Sequence, residues 1–240
     1  MNLAVIIGRG GSRGLARKNL RLLGGRPLVA WTIEHAKQSR LIDDVVLSSD
    51  DPEILEVGRA HGVHCFERPA ELASDTATVD AAARHGVAAW ENTTNQTCSH
   101  VAILYANVPI RPHDLTDRAL TKLRDTGADS VQCVYPVGAR HPLWMRRLTG
   151  PDGDQLEHYQ PNEIYRRQDL PPVYMLNSGV IAVTRASLFD VDPAHPHQFL
   201  GRDRRAIVTE EHEVIDIDTE LDLRIAEAVL AMRESNHAIA

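Results

Sequence analysis

Cysteine is scarce in this 240-residue chain, and the three present, Cys65, Cys98 and Cys133, lie far apart. An odd count with no CxxC pair argues against a disulfide framework. Three reduced, mostly buried thiols in a cytoplasmic protein are expected instead. Long apolar runs are also missing. The opening Met1-Asn2-Leu3-Ala4-Val5-Ile6-Ile7-Gly8 is too short to target or span a membrane, so no membrane partner is expected. With no leader in sight, the sequons Asn92-Thr93-Thr94 and Asn95-Gln96-Thr97 read as a polar loop. A basic excess is lacking as well. The formal net charge of −7 sets nucleic acid aside as a general partner. Internal repeats and low-complexity tracts are absent.

What is present suits an ordinary globular protein, with 43% hydrophobic and 25% charged residues. One domain over 1–240 can bury a core that needs no disulfide or metal. Short apolar runs at 3–7, 44–49, 63–66, 100–105, 130–135, 179–184 and 214–218 read as strands. Helical stretches are expected at 27–37, after Asp51-Pro52-Glu53, at 78–90, after Pro112-His113-Asp114 and at 220–233. Thr219 is placed to cap the last, with Asp222 as its partner three residues on. The alternation predicts an α/β fold in three layers, a mostly parallel sheet with helices on both faces. Residues 136–175 break the rhythm with Pro136, Pro142, Pro151, Pro161, Pro171 and Pro172. They read as an inserted β-rich arm of the kind that often dimerises, so a homodimer is expected. The loop holding His195 and His197 reads as polar surface.

Two segments carry chemistry. The first is Gly8-Arg9-Gly10-Gly11-Ser12-Arg13-Gly14-Leu15-Ala16-Arg17-Lys18-Asn19. Its glycines let backbone approach a ligand closely, while Arg9, Arg13 and Lys18 can neutralise phosphate oxygens. It is no Walker A loop, since no Gly-Lys-Ser/Thr follows, and no dinucleotide fingerprint, since Arg13 stands where the third glycine would. It follows the first strand, where α/β sheets bind ligands. The second is Val214-Ile215-Asp216-Ile217-Asp218. On a strand, Asp216 and Asp218 share one face while Ile215 and Ile217 face the core. Paired carboxylates are relieved by a divalent cation. Mg²⁺ characteristically takes one or two of them together with substrate phosphates, so Asp216 and Asp218 are the expected metal ligands.

With both segments in view, the chain resembles the acylneuraminate (CMP-sialic acid) cytidylyltransferases and their relatives for other nonulosonic acids and Kdo. The first loop is similar through Arg9, Ser12, Lys18 and Asn19, followed by Gly25-Arg26-Pro27-Leu28-Val29-Ala30-Trp31-Thr32-Ile33. Arg68-Pro69-Ala70-Glu71-Leu72-Ala73-Ser74-Asp75-Thr76 resembles the family's arginine-proline loop, and residues 215–223 its metal-binding end. The resemblance implies a nucleotide-diphospho-sugar-transferase-like fold. It implies CTP and a small acidic sugar as substrates, and transfer of CMP with release of pyrophosphate. It also implies Mg²⁺ as cofactor. Catalysis would then fall to Arg9, Lys18, Asp216 and Asp218. Nucleotide binding would fall to Gly8, Arg9, Gly10, Gly11, Ser12, Lys18, Asn19, Arg68 and Ser74.

The sugar side departs from the family pattern. Tyr105 stands where a sugar-contacting glutamine is usual, Trp144 where a lysine is, and Met175 where a second arginine is. Arg167 matches the first arginine, and Asn177-Ser178-Gly179 is one residue longer than the usual asparagine-glycine. Tyr105, Asn107, Arg111, Arg140, Arg167 and Asn177 are the sugar-binding candidates. Arg167 is suited to fork onto a carboxylate, and Arg111 to brace the loop after the central strand. Two alternatives stay open: transfer to a sugar-1-phosphate or another acidic sugar, and a non-catalytic nucleotide-binding module.

Overall fold

The computed structural model describes residues 1–11, 14–192, 194, 195 and 197–239. Its strands are β1 (Asn2–Ile7), β2 (Leu22–Leu23), β3 (Arg26–Pro27), β4 (Asp44–Ser49), β5 (His64–Glu67), β6 (His100–Tyr105), β7 (Ser130–Pro136), β8 (Arg146–Thr149), β9 (Gln155–His158), β10 (Tyr174–Thr184) and β11 (Arg204–Val208). Its α-helices are α1 (Leu28–Gln38), α2 (Pro52–Ala60), α3 (Val79–Thr94), α4 (Leu115–Thr126), α5 (Arg185–Phe189) and α6 (Glu220–Ile239). Seven strands form one sheet in the order β11-β7-β10-β6-β1-β4-β5. All run parallel except β10, which is antiparallel to both β6 and β7.

The unbroken apolar character of β1 follows from burial on both faces. Ala4 and Ile6 face a core with α1, α2 and α4, through Val29, Ile33, Ile54, Leu115 and Leu123. Leu3, Val5 and Ile7 face the opposite core, where α3 contributes Ala82, Ala83, Val87 and Trp90. Local chemistry sets the helix starts. Asp51 caps α2 by accepting from the amides of Glu53 (2.8 Å) and Ile54 (3.3 Å), with Pro52 in the first turn. Thr78 caps α3 through the Ala81 amide. Thr219 and Asp222 form the reciprocal cap of α6: Asp222 Oδ2 accepts from the Thr219 amide (2.8 Å), and Thr219 Oγ1 from the Asp222 amide (3.3 Å).

Three expectations change. The last sheet strand is Arg204–Val208, not 214–218. As an edge strand, β11 tolerates Arg204 and Arg205, and this polarity hid it from an apolar search. The 214–218 segment is extended but joins no sheet. It crosses the loop after β6, with the Ile215 amide donating to Ile110 O and the Ile217 amide to Asn107 O, both at 3.0 Å. A small third core under α6, with Leu23, Leu28, Ile110 and Leu223, holds Ile215 and Ile217. The two aspartates therefore still face away from the core. The expected polar loop at residues 92–97 is in part helix: Asn92, Thr93 and Thr94 form the last turn of α3, and Asn95 ends it in the left-handed conformation.

The regular strand structure of the 136–175 arm, ahead of the start of β10, is the β8–β9 hairpin. The arm leaves Leu148, Leu156 and Tyr165 exposed. Cys98 and Cys133 are buried and Cys65 partly so, all three as free thiols. Among the described residues, no helix is long and apolar enough to cross a membrane.

One buried group ties fold stability to pH. His35 on α1 lies against α4, its Nε2 2.8 Å from the Thr116 hydroxyl. Burial first, then the charges of Arg111 and His113, push its pKa from 6.5 down to about 2. Between those values the unfolded chain binds a proton at this position and the native chain does not. His35 therefore subtracts stability as pH falls below 6.5, with a slope of up to about 1.4 kcal/mol per pH unit. His35→Gln, which keeps a partner for Thr116, is expected to flatten the acid limb. Urea midpoints at several pH values between 7.5 and 5 test this, and parallel limbs for the two proteins would refute it.

Candidate active site

The C-terminal ends of β1 and β6, with the loop that follows β5, open into one cavity of about 330 Å³. From the first loop, Gly8, Arg9, Gly11, Lys18 and Asn19 reach it. The arginine-proline loop adds Arg68, Ser74 and Asp75, and the start of α3 adds Thr78 and Val79. Tyr105 and Asn107 come from the end of β6, and Asp216 and Asp218 from the crossing segment. The cationic and acidic segments, some two hundred residues apart in sequence, thus share one cleft, and the Lys18 ammonium pairs with Asp218 Oδ1.

The first loop is shaped by close approach. A Cβ on Gly8 would sit 2.8 Å from the Ala106 side chain, and one on Gly14 would sit 2.5 Å from the Asp218 carbonyl oxygen. Gly14 therefore lets this loop lie directly on the acidic segment. Arg17, with φ of 53°, turns the chain into the single turn that carries Lys18 and Asn19. Gly10 lies just outside the lining, its amide donating to Asp50 Oδ1 at 3.0 Å. Arg9 Nη1 pairs with Asp75 Oδ1 at 2.7 Å. Buried Asn19 donates to Arg9 O at 2.9 Å, and its Oδ1 has no partner among the described residues. Ser12 and Arg13 lie outside the described residues.

Arg68 is buried and reaches backbone rather than open space. Its Nη2 donates to Ser48 O (2.5 Å) and Gly8 O (3.3 Å), and its Nε to Ser48 Oγ (3.2 Å). It ties together the ends of β1 and β4 under the cavity floor, and burial lowers its pKa. Ser74 Oγ donates to Glu71 O at 3.1 Å, within its own loop.

Around Asp216 the donors are neutral. Asn107 Nδ2 donates to Asp216 Oδ1 and to Ile217 O, and Ser178 Oγ donates to Asp216 Oδ2 at 2.7 Å. Burial raises the Asp216 pKa; the Ser178 hydrogen bond opposes this, and the charge of Asp218 adds to it. Burial, with the Asp216 charge, pushes the Tyr105 phenol up to about 12, so it keeps its proton.

Asn107, a sugar-binding candidate, lines the cavity, and its amide nitrogen also pins the acidic segment, a pairing that only the tertiary fold could reveal. Tyr105 lines the cavity with it, whereas Arg111, Arg140, Arg167 and Asn177 do not. Arg111 is buried behind Tyr105, where its Nη2 donates to Tyr105 O at 3.3 Å and burial lowers its pKa to about 10. Arg140 pairs with Glu211 at the surface. Arg167 is exposed in a turn of the arm. Asn177 Nδ2 donates to Thr209 Oγ1 at 2.9 Å. His195 pairs with Asp192 at the surface. Asp75 and Ser178 were missed as site residues. The extra residue at Asn177-Ser178-Gly179 was the one available hint of Ser178.

Among the described residues, no group of three or more His, Cys, Asp or Glu side chains could hold a metal. The Asp216–Asp218 pair nonetheless fits Mg²⁺, whose remaining ligands are characteristically phosphate oxygens and water. Hard oxygen donors, one of them poorly compensated in its buried position, are what such a cation relieves.

Fold and cleft together define an α/β enzyme built to bind a nucleotide at its strand ends. Residues 3–180 match the family model described as cytidylyltransferase, and the chain belongs to that family. It is 30% identical over 231 residues to the pseudaminic acid cytidylyltransferase of Campylobacter jejuni, covering 94% of each chain. It is 29% identical over 240 residues to the CMP-N,N'-diacetyllegionaminic acid synthase of Legionella pneumophila, covering 97% of each. Its fold matches a solved CMP:2-keto-3-deoxy-manno-octonic acid synthetase complexed with CTP, with a TM-score of 0.71 at 18% identity over 97% of this chain and 99% of that one.

Proposed function

We propose that this enzyme transfers CMP from CTP to a nonulosonic acid, forming a CMP-sugar and pyrophosphate, with Mg²⁺ held by Asp216 and Asp218. The observation that carries the reading is the meeting of Lys18 and Asp218 across a cleft that also holds Arg9. The relatives' acceptors, pseudaminic and legionaminic acids, support the sugar class.

Both cations are neutralised by carboxylates, Arg9 by Asp75 and Lys18 by Asp218. On binding, the triphosphate takes the place of these partners. Arg9 and Lys18 then bear on its phosphate oxygens, and Asp218, parted from Lys18, would be free to help Asp216 hold Mg²⁺. The start of α3 adds the favourable field of a helix N-terminus. Asn19 Oδ1 accepts from a ribose or base donor, while Arg68 keeps the floor rigid. The acceptor's anomeric hydroxyl forms a bond to the α-phosphorus and gives up its proton to solvent as the bond to the β-phosphate breaks and pyrophosphate leaves. Arg9 and Lys18 stabilise the charge growing on that leaving group. Mg²⁺, when bound, supplies further neutralisation of the phosphates. Tyr105, a protonated donor on the cavity wall, faces the acceptor.

The exposed apolar side chains of the arm support a homodimer formed through it. The free thiols support a cytoplasmic setting.

Pyrophosphate release tests the proposal, with CTP, UTP, GTP and ATP each offered sialic, pseudaminic and legionaminic acids, Kdo and a sugar-1-phosphate. Turnover is expected with CTP and a nonulosonic acid. Turnover confined to the sugar-1-phosphate, or CTP binding with no turnover on any acceptor, would overturn it.

A further inference from the structure

We infer that Ser178 is a positioning residue that holds Asp216 in the orientation the metal-bound nucleotide requires; this rests on the function proposed above. Between the pairs Leu176↔Val134 and Ile181↔Gln132, β10 passes four residues, 177–180, where β7 passes only Cys133. The surplus forms a bulge, a device that re-aims side chains beside active sites. Its shape is built from within. Asn177 Oδ1 accepts from the Gly179 amide at 3.0 Å, and Asn177 Nδ2 ties the bulge to Thr209. A Cβ on Gly179 would lie 2.9 Å from Leu115 and 3.2 Å from Val214, so glycine lets the bulge settle closely against the start of the acidic segment. The result is one hydroxyl aimed out of β10, 2.7 Å from Asp216 Oδ2.

Asp216 is thereby gripped on both oxygens, by Asn107 from the loop after β6 and by Ser178 from β10. Each oxygen keeps a second lone pair, since a carboxylate offers about four acceptor positions. Fixing both oxygens leaves the carboxylate one rotamer. A donor set preorganised in this way binds its cation without first losing side-chain freedom.

Calorimetric titration of CTP into wild type, Ser178→Ala and Ser178→Thr, each in MgCl₂ and in EDTA, tests the inference. In EDTA the three are expected to bind CTP alike, within about twofold. Mg²⁺ is expected to tighten binding to wild type. Ser178→Ala should lose about tenfold of that gain, near the lower bound for removing a hydrogen bond to a charged group, and Ser178→Thr should keep it. Ser178→Val, isosteric with the threonine variant, repeats the comparison should the alanine variant fold poorly. A full Mg²⁺ gain in the alanine and valine variants would overturn the inference. So would an equal loss of affinity in EDTA and in Mg²⁺, or the absence of a gain in wild type. No acceptor enters this titration, so its failure is distinct from failure of the acceptor panel.

Discussion

Lys18→Ala is expected to lower pyrophosphate release by about 10²–10³-fold, the range for deleting one preorganised donor to developing charge. Two effects compete in this variant. Removing the ammonium leaves Asp218 without its partner beside Asp216, which destabilises the fold. Asp218 is 66% exposed, so water solvates it, and the ion pair contributes at most about 1 kcal/mol. The catalytic effect has no such substitute. Lys18 is only 16% exposed at the cavity wall, and water cannot place a fixed positive charge there. A large loss of kcat with a small change in melting temperature is therefore the expected pattern. Steady-state kinetics at saturating CTP, alongside thermal unfolding, separates the two. Turnover near the wild-type rate would remove Lys18 from the mechanism.

The parts that were legible in the sequence are those whose physics is local. Residues 44–49 and 100–105 read as strands because both faces are buried past their first residues, and the buried positions are free to be apolar or small. Asp51-Pro52 and Thr219 announced helices because capping depends on neighbours two or three residues away. Glycines, charge density and a place directly after β1 marked the first loop. Features that depend on distant partners were not legible. The 214–218 stretch alternates like a strand, yet its partners are two carbonyls of the loop after β6 rather than a sheet edge. The role of Asn107 could not be read without knowing that Asp216 arrives beside it. Ser178 depends on a bulge that appears only when β10 is registered against β7. Arg140 was a sugar candidate, and Arg167 another through its match to a family arginine; both lie in the arm, outside the cavity lining.

Asp216→Asn sets stability and activity against each other. Among the described residues no cation pairs directly with Asp216; the partners there, Asn107 and Ser178, are neutral, and Lys18 pairs with Asp218 instead. A carboxylate so buried, with a second acid nearby, carries a net electrostatic penalty, as the upward displacement of its pKa reflects. The asparagine variant removes that charge at constant shape, and the Ser178 hydroxyl can rotate to accept from the new amide. Melting temperature is expected to hold or rise. Activity moves the other way. A neutral amide is a weak ligand for Mg²⁺, and loss of several kcal/mol of charge stabilisation lowers kcat by about 10³-fold and flattens its response to MgCl₂. Fold stability surrendered at a site that chemistry requires is a common trade. Thermal melting together with kcat across a MgCl₂ series decides the matter. A variant that melts earlier but turns over normally would make Asp216 a structural residue, and the metal would have to be held elsewhere.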